Sequence, residues 1–180
     1  EMTAADSGTP LEQGAMRMFA HTPEISKGLA AFAGSLKQNR SLPDRLVELV
    51  RLRVAFHNQC RSCMAIRYKD GQEDGITEDL VCSLEKPMEA ENLSDAEKAA
   101  IHYGELFATN HLAINDEVYD NLRKYFSESE IVELSMTVAF FVGFGRLAAS
   151  YHMVEELPES FQANEEETLT PWGNESIIVR

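Results

Sequence analysis

The sequence predicts an all-α fold, on three observations. Apolar residues recur at helical spacing along most of the chain, as at Leu46, Leu49, Val50 and Val54. Two capping boxes, Ser94-Asp95-Ala96-Glu97 and Ser127-Glu128-Ser129-Glu130, mark helix starts by pairing a hydroxyl with a glutamate three residues on. No two alternating apolar runs are joined by hairpin-type turn residues, so strand pairs are not expected.

Each element has its own signal. Thr22-Pro23-Glu24 supplies an N-cap, a first-turn proline and an acidic first turn for a helix reaching about Gln38. Ser41-Leu42-Pro43-Asp44 opens the next, which runs to about Asn58 and is apolar on most sides, as a central helix would be. Another is expected to start at Cys60 and fade near Gly71, followed by a short one over Thr77 to Leu84. The two capping boxes open helices to about Thr109 and about His152, with a shorter amphipathic helix from Asp116 to Tyr125 between them. Within the last long helix, Ala139, Gly143 and Gly145 read as small residues permitting close helix approach, and Phe140, Phe141 and Phe144 as core or, second, as the lining of a pocket or an interface.

The 180 residues suit one helical domain, placed at residues 1–157, with an acidic tail or arm at 158–180. The arm carries Glu165-Glu166-Glu167, Pro171 and Gly173 and cannot fold alone, so it is expected either to lie on a folded surface or to stay disordered. A net charge of −14 excludes a nucleic-acid partner, which needs a cationic footprint, and an anionic membrane surface. No apolar run approaches the roughly 20 residues that span a bilayer. The N-terminal residues do not read as a signal peptide, and Asn174-Glu175-Ser176 reads as a chance sequon. With three cysteines and no spaced framework, the chain reads as cytoplasmic rather than as a secreted disulfide scaffold.

The chemistry concentrates in Asn58-Gln59-Cys60-Arg61-Ser62-Cys63-Met64-Ala65-Ile66-Arg67. A helix starting on Cys60 places Cys60, Cys63 and Arg67 on one face at i, i+3 and i+7. Free amides at a helix start and a nearby guanidinium both stabilise a thiolate. The spacing also lets the two sulfurs reach bonding distance. Two other readings stay open: a packed pair of small residues, and half of a zinc site, which is weakened because Cys82 is the sole remaining thiol. Glu48, in the central helix, is expensive unless paired. It reads either as a salt-bridge partner of Arg45, Arg51 or Arg53, or as a proton acceptor beside the thiols.

The combination of Glu48, the basic-apolar run through Ala55, Asn58, Cys60 and Cys63 resembles the alkylhydroperoxidase D-like branch of the carboxymuconolactone decarboxylase family. Phe126 to Leu134 resembles that family's last long helix, and the likeness covers roughly residues 20 to 157. The resemblance implies an alkylhydroperoxidase D-like helical domain that assembles into trimers or hexamers and reduces hydroperoxides with thiols. In that scheme Cys63 attacks the peroxide, Cys60 resolves the sulfenic acid to a disulfide, and Glu48 is the distal base. A lipoyl-protein or thioredoxin-like dithiol donor restores the reduced pair, and no cofactor or metal is called for. The family's histidine position holds Arg67, whose guanidinium cannot relay protons. Arg67 can instead hold a thiolate, Glu48 or an anionic substrate, while His57 or a direct path to Glu48 substitutes for the relay. The competing functions are decarboxylation of a small carboxylated lactone and a non-enzymatic helical oligomer with a regulatory dithiol.

Overall fold

A computed structural model describes residues 10–154, 157–162, 168–173 and 178–180. The acidic run Glu165–Glu167, the sequon at Asn174 and the N-terminal residues before Pro10 lie outside them. The helices are α1 (Pro10–Phe19), α2 (Pro23–Gln38), α3 (Asp44–Asn58) and α4 (Arg61–Ala65), and a two-residue strand, β1 (Ile66–Arg67), follows. Then come α5 (Lys69–Glu73), α6 (Glu78–Cys82), α7 (Asp95–Thr109), α8 (Asp116–Leu122), α9 (Glu128–Ser150) and α10 (Glu159–Gln162). A second strand, β2 (Ile178–Val179), ends the chain.

The all-α expectation holds. α3 runs through the centre, flanked by α7 and α9, and Leu49, Val50, Leu52, Val54 and Ala55 are buried around it. Burial of each such Leu or Val contributes about 1.5–3 kcal/mol. Gly104 lets α7 approach α3 closely, since a Cβ there would meet Val50 Cγ1 at 3.0 Å. Both capping boxes form as expected. Thr22 holds the N-cap position of α2 but makes no side-chain cap bond, which leaves Pro23 as the stronger start signal.

Four features depart from the sequence reading. α1 is an additional helix. The helix expected from Cys60 to Gly71 is two short ones, because Ile66 and Arg67 are drawn into an extended pair with the C-terminus. That pair is parallel, Ile66 to Ile178 and Arg67 to Val179, so a strand pair does exist. It is extended by Arg180 N–H to Arg67 O at 2.9 Å and Lys69 N–H to Arg180 O at 2.6 Å. Two residues per strand carry too little alternation to be read from sequence. Finally, α9 is long and apolar enough to cross a membrane, with a mean hydropathy of 1.6 over its best window, which corrects the expectation that no such run exists. Its apolar content has other uses here: Ile131, Leu134 and Val138 pack into the core against α3 and α7.

Of the small residues in α9, Gly145 is the one that a close approach requires. A Cβ at this position would collide with Asn58 Nδ2, whereas Gly143 has open space. Asn58 uses that approach to donate to Phe141 O at 3.0 Å and to accept from Arg146 Nε at 3.1 Å, tying the end of α3 to α9. Gly145→Ala is therefore expected to displace Asn58 and lower stability by about 1–3 kcal/mol, measured by denaturant unfolding. Gly143→Ala, the control on the same helix, is expected to leave stability unchanged or slightly raised.

Candidate functional site

The site is built from the end of α3 and the turn after it. Gln59 takes the left-handed conformation (φ 49°), Cys60 N–H bonds Ala55 O at 3.1 Å, and Gln59 N–H bonds Phe56 O at 3.0 Å. This Schellman-type reversal ends α3 and sets Cys60 at the start of α4. A left-handed non-glycine costs on the order of 1 kcal/mol. The Gln59 side chain offsets it: its amide donates to Leu169 O at 3.1 Å and accepts from Leu169 N–H at 2.9 Å.

Cys60 and Cys63 are joined in a disulfide, with Cα atoms 5.2 Å apart. Packing makes the two sulfurs unequal. Cys60 is completely buried. Cys63 is partly exposed and lines a cavity of about 160 Å³ with Arg51, Asn58, Ser62, Tyr68 and three phenylalanines, Phe140, Phe141 and Phe144. Of the two readings of these aromatics, the pocket lining holds rather than the core: they are partly buried and form a wall of the cavity.

Glu48 is buried, and its partner is Arg51, one of the three arginines considered for it. The pair is bidentate: Arg51 Nε to Glu48 Oε2 at 2.6 Å and Nη2 to Oε1 at 2.7 Å. Tyr68 N–H adds a contact to Oε1 at 3.3 Å. The same guanidinium donates to Cys63 O at 2.6 Å and to Ile66 O at 2.7 Å, and it lies 4.8 Å from the centre of the Tyr68 ring. Burial works against the Arg51 charge, but the bonded Glu48 carboxylate outweighs it and holds the Arg51 pKa above its ordinary value. Arg51, Tyr68 and Phe141 also line a second cavity, of about 220 Å³, that reaches Glu48. Glu48 and Cys63 therefore sit on opposite sides of one wall, and Arg51 is part of it.

Arg67 does not share a helical face with the cysteines, because α4 ends at Ala65. Its side chain is fully buried, paired with Glu78 through Nε and Nη2 at 2.9 and 3.0 Å, and bonded to Met64 O at 2.6 Å and Pro171 O at 2.7 Å. It is absent from the walls of both cavities. The cation beside Cys63 is Arg51 instead. The sequence carried a partial signal for this: three-residue spacing from Glu48 sets aside Arg53 but is met by both Arg45 and Arg51, and Arg45 is taken by Glu97.

His57 faces α7. Its Nε2 lies 3.2 Å from Glu105 Oε1 but outside good hydrogen-bond geometry, whereas Arg53 Nη2 makes a well-formed bond to the same oxygen at 2.7 Å. His57 stacks edge-on against Phe56 and does not line the Cys63 cavity. Glu105 is held down at about 2 from an ordinary 4.5, with His57 as the largest influence, burial opposing it and Arg53 reinforcing it.

Comparison with known proteins fits this arrangement. Residues 23–106 match the Carboxymuconolactone decarboxylase family. An uncharacterized protein of Mycobacterium tuberculosis is 30% identical over 121 residues, covering 66% of this chain and 42% of that protein. The uncharacterized protein YdfG of Bacillus subtilis is 28% identical over 92 residues, covering 51% of this chain and 63% of its own length. The chain thus spans less than two thirds of these relatives. Among solved structures, a protein of unknown function from Agrobacterium tumefaciens superposes with a TM-score of 0.64 at 21% identity, covering 78% of this chain and 95% of that one. An uncharacterized peroxidase-related protein from Ralstonia eutropha, described as an alkylhydroperoxidase AhpD core, gives 0.64 at 18% identity, covering 82% and 78%. These structures establish the AhpD-like fold.

The Glu105 cluster generates a pH prediction. Because the folded pKa lies below the ordinary value, its contribution to stability is complete above about 4.5 and is lost as pH falls towards about 2. Glu105→Gln is expected to be less stable than the parent at neutral pH, with the gap closing across that acid window in thermal unfolding. A gap that stays constant with pH would remove the carboxylate's charge as the cause.

Proposed function

The chain belongs to the carboxymuconolactone decarboxylase family through residues 23–106, and from that membership we propose that it is a thiol-dependent oxidoreductase reducing small organic hydroperoxides. The observation that carries the reading is the unequal burial of the bonded pair: Cys63 opens on an aromatic-walled cavity and Cys60 is sealed behind it. In the reduced protein the Cys63 thiolate attacks the terminal peroxide oxygen. The O–O bond breaks, the alkoxide leaves and takes up a proton, and Cys63 becomes a sulfenic acid. Cys60 sulfur then attacks Cys63 sulfur, water departs, and the disulfide forms. An external dithiol, of lipoyl or thioredoxin type, takes over the oxidising equivalents.

Arg51 stabilises the Cys63 thiolate in this reading, by charge from the cavity wall. Glu48 accepts the thiol proton when its pair with Arg51 opens, since both its oxygens are otherwise occupied. His57, turned towards Glu105, is the lesser candidate for that step. Arg67 holds the dithiol segment in place rather than moving protons. The Phe140, Phe141 and Phe144 wall favours an alkyl or aryl hydroperoxide over hydrogen peroxide. Assembly into a trimer or hexamer belongs to the same proposal, supported by exposed Phe32, Val132 and Met136 on α2 and α9. The cycle needs a reducing compartment such as the cytoplasm.

The test is to reduce the purified protein, add one equivalent of cumene hydroperoxide or hydrogen peroxide, and follow thiol loss with mapping of the disulfide by mass spectrometry. The expected result is loss of both thiols to a Cys60–Cys63 bond, faster with the aryl hydroperoxide. Thiols that stay free under peroxide and under diamide would end the redox reading. Glu48→Gln is expected to slow thiol oxidation about a hundredfold or more, the lower end of general-base contributions. His57→Ala is expected to slow it less. The reverse order would transfer the proton step to His57.

A further inference from the structure

Between the cysteines stands Ser62, which neither the composition nor the spacing singled out. It is buried, and its Oγ lies 3.6 Å from Cys60 Sγ. In the disulfide neither sulfur carries hydrogen, so Ser62 must be the donor. The same residue lines the cavity that Cys63 faces, while Cys60 does not. Cys60 itself has no exposed surface, and the amide of the preceding Gln59 is locked to Leu169. A thiol arriving from outside therefore has a route to one sulfur only.

We propose that Ser62 is a positioning residue for reduction of the disulfide: it holds by hydrogen bond the Cys60 thiolate released when a dithiol donor attacks Cys63. The proposal deepens the dithiol reading and rests on it. The donor thiolate attacks Cys63 Sγ, and a donor–Cys63 disulfide forms. The Cys60–Cys63 bond breaks, and its electron pair departs on Cys60 Sγ. The donor's second thiol then attacks the mixed disulfide, leaving as a cyclic or intramolecular donor disulfide and freeing the Cys63 thiolate, which takes up a proton with Cys60 as pH dictates. Two electrons pass from the donor dithiol to the protein disulfide. The departing thiolate is generated at a fully buried position, where a thiolate is costly without a donor. Ser62 is the hydroxyl the structure puts there. Leaving groups of lower pKa depart faster, so the bond acts on rate as well as on equilibrium.

Ser62→Ala tests this, with Ser62→Thr as the variant that keeps the hydroxyl; the cavity at Ser62 has room for the added methyl. Each is equilibrated with reduced and oxidised dithiothreitol across a pH series, after circular dichroism confirms folding. For Ser62→Ala the constant for reduction of the protein disulfide is expected to fall about tenfold at alkaline pH, a potential lower by about 30 mV, with the difference shrinking at acid pH, where Cys60 holds its proton. Ser62→Thr is expected to match the parent. An unchanged constant in Ser62→Ala, a difference independent of pH, or an equal fall in both variants overturns the proposal. The measurement uses no peroxide, so loss of the peroxidase reading and loss of this one are separate results. In single-cysteine variants, Cys60→Ser is expected to react with Ellman's reagent at least about tenfold faster than Cys63→Ser, and equal rates would also overturn it.

Discussion

The Arg51 guanidinium is the constraint on which the site depends. It leaves the middle of the central helix and is bonded at once to Glu48 on its own helix and to the carbonyls of Cys63 and Ile66 beyond the turn. One planar group thereby fixes the distance between α3 and the dithiol segment. A lysine could neutralise Glu48 but could not reach three acceptors in fixed directions. A buried ion pair is weak evidence for stability by itself, since desolvating both charges can cost as much as their attraction returns. Its contribution here is geometric. Removing either partner leaves an uncompensated buried charge, and removing Arg51 also releases the carbonyls of Cys63 and Ile66.

Around this pair the protein adds a second arginine with a different task. Arg67 binds Glu78 on α6, Met64 at the end of α4 and Pro171 in the C-terminal segment, so three stretches distant in sequence converge on one side chain. The strand pair with Ile178 and Val179 continues the same closure. A neutral imidazole at this position would offer one donor where the guanidinium offers five, and it could not satisfy those three partners together. The residue that blocks a histidine-type relay is the one that joins the C-terminal segment to the dithiol turn. In the proposed cycle, proton handling therefore falls to other groups.

The legible part of the fold was whatever depends on local sequence. Capping boxes at Ser94 and Ser127, the first-turn Pro23 and the all-round apolar character of α3 each act within a few residues, and each element they announced is present. The break at Ile66 was illegible because its cause lies more than a hundred residues away, in β2 and Pro171. The cysteine pair was legible as chemistry, and its spacing alone allowed bonding. Which sulfur faces outward was not, because the three-residue spacing is the same for both and only tertiary packing makes Cys60 buried and Cys63 partly exposed. For Glu48, both the pairing and the proton-acceptor reading were available from sequence, and the Arg51 bonds settle which contact it makes at rest.

That resting contact shapes how a proton could leave Cys63. In the proposed cycle, transfer to Glu48 is aided when its pair with Arg51 loosens, and a shift of the segment carrying Cys63 and Ile66 would strain that pair, since the same guanidinium holds both carbonyls. Bond breaking between the two cysteines would permit such a shift, because the disulfide otherwise fixes Cys63 against the buried Cys60. The proposed cycle would then couple the redox state of the pair to the availability of Glu48. In that proposal Glu48 would be engaged while the disulfide is closed and more available when it opens, in the half of the cycle that needs a base. An Arg51 that bonded Glu48 alone could not do this; the coupling comes from its two carbonyl bonds across the turn.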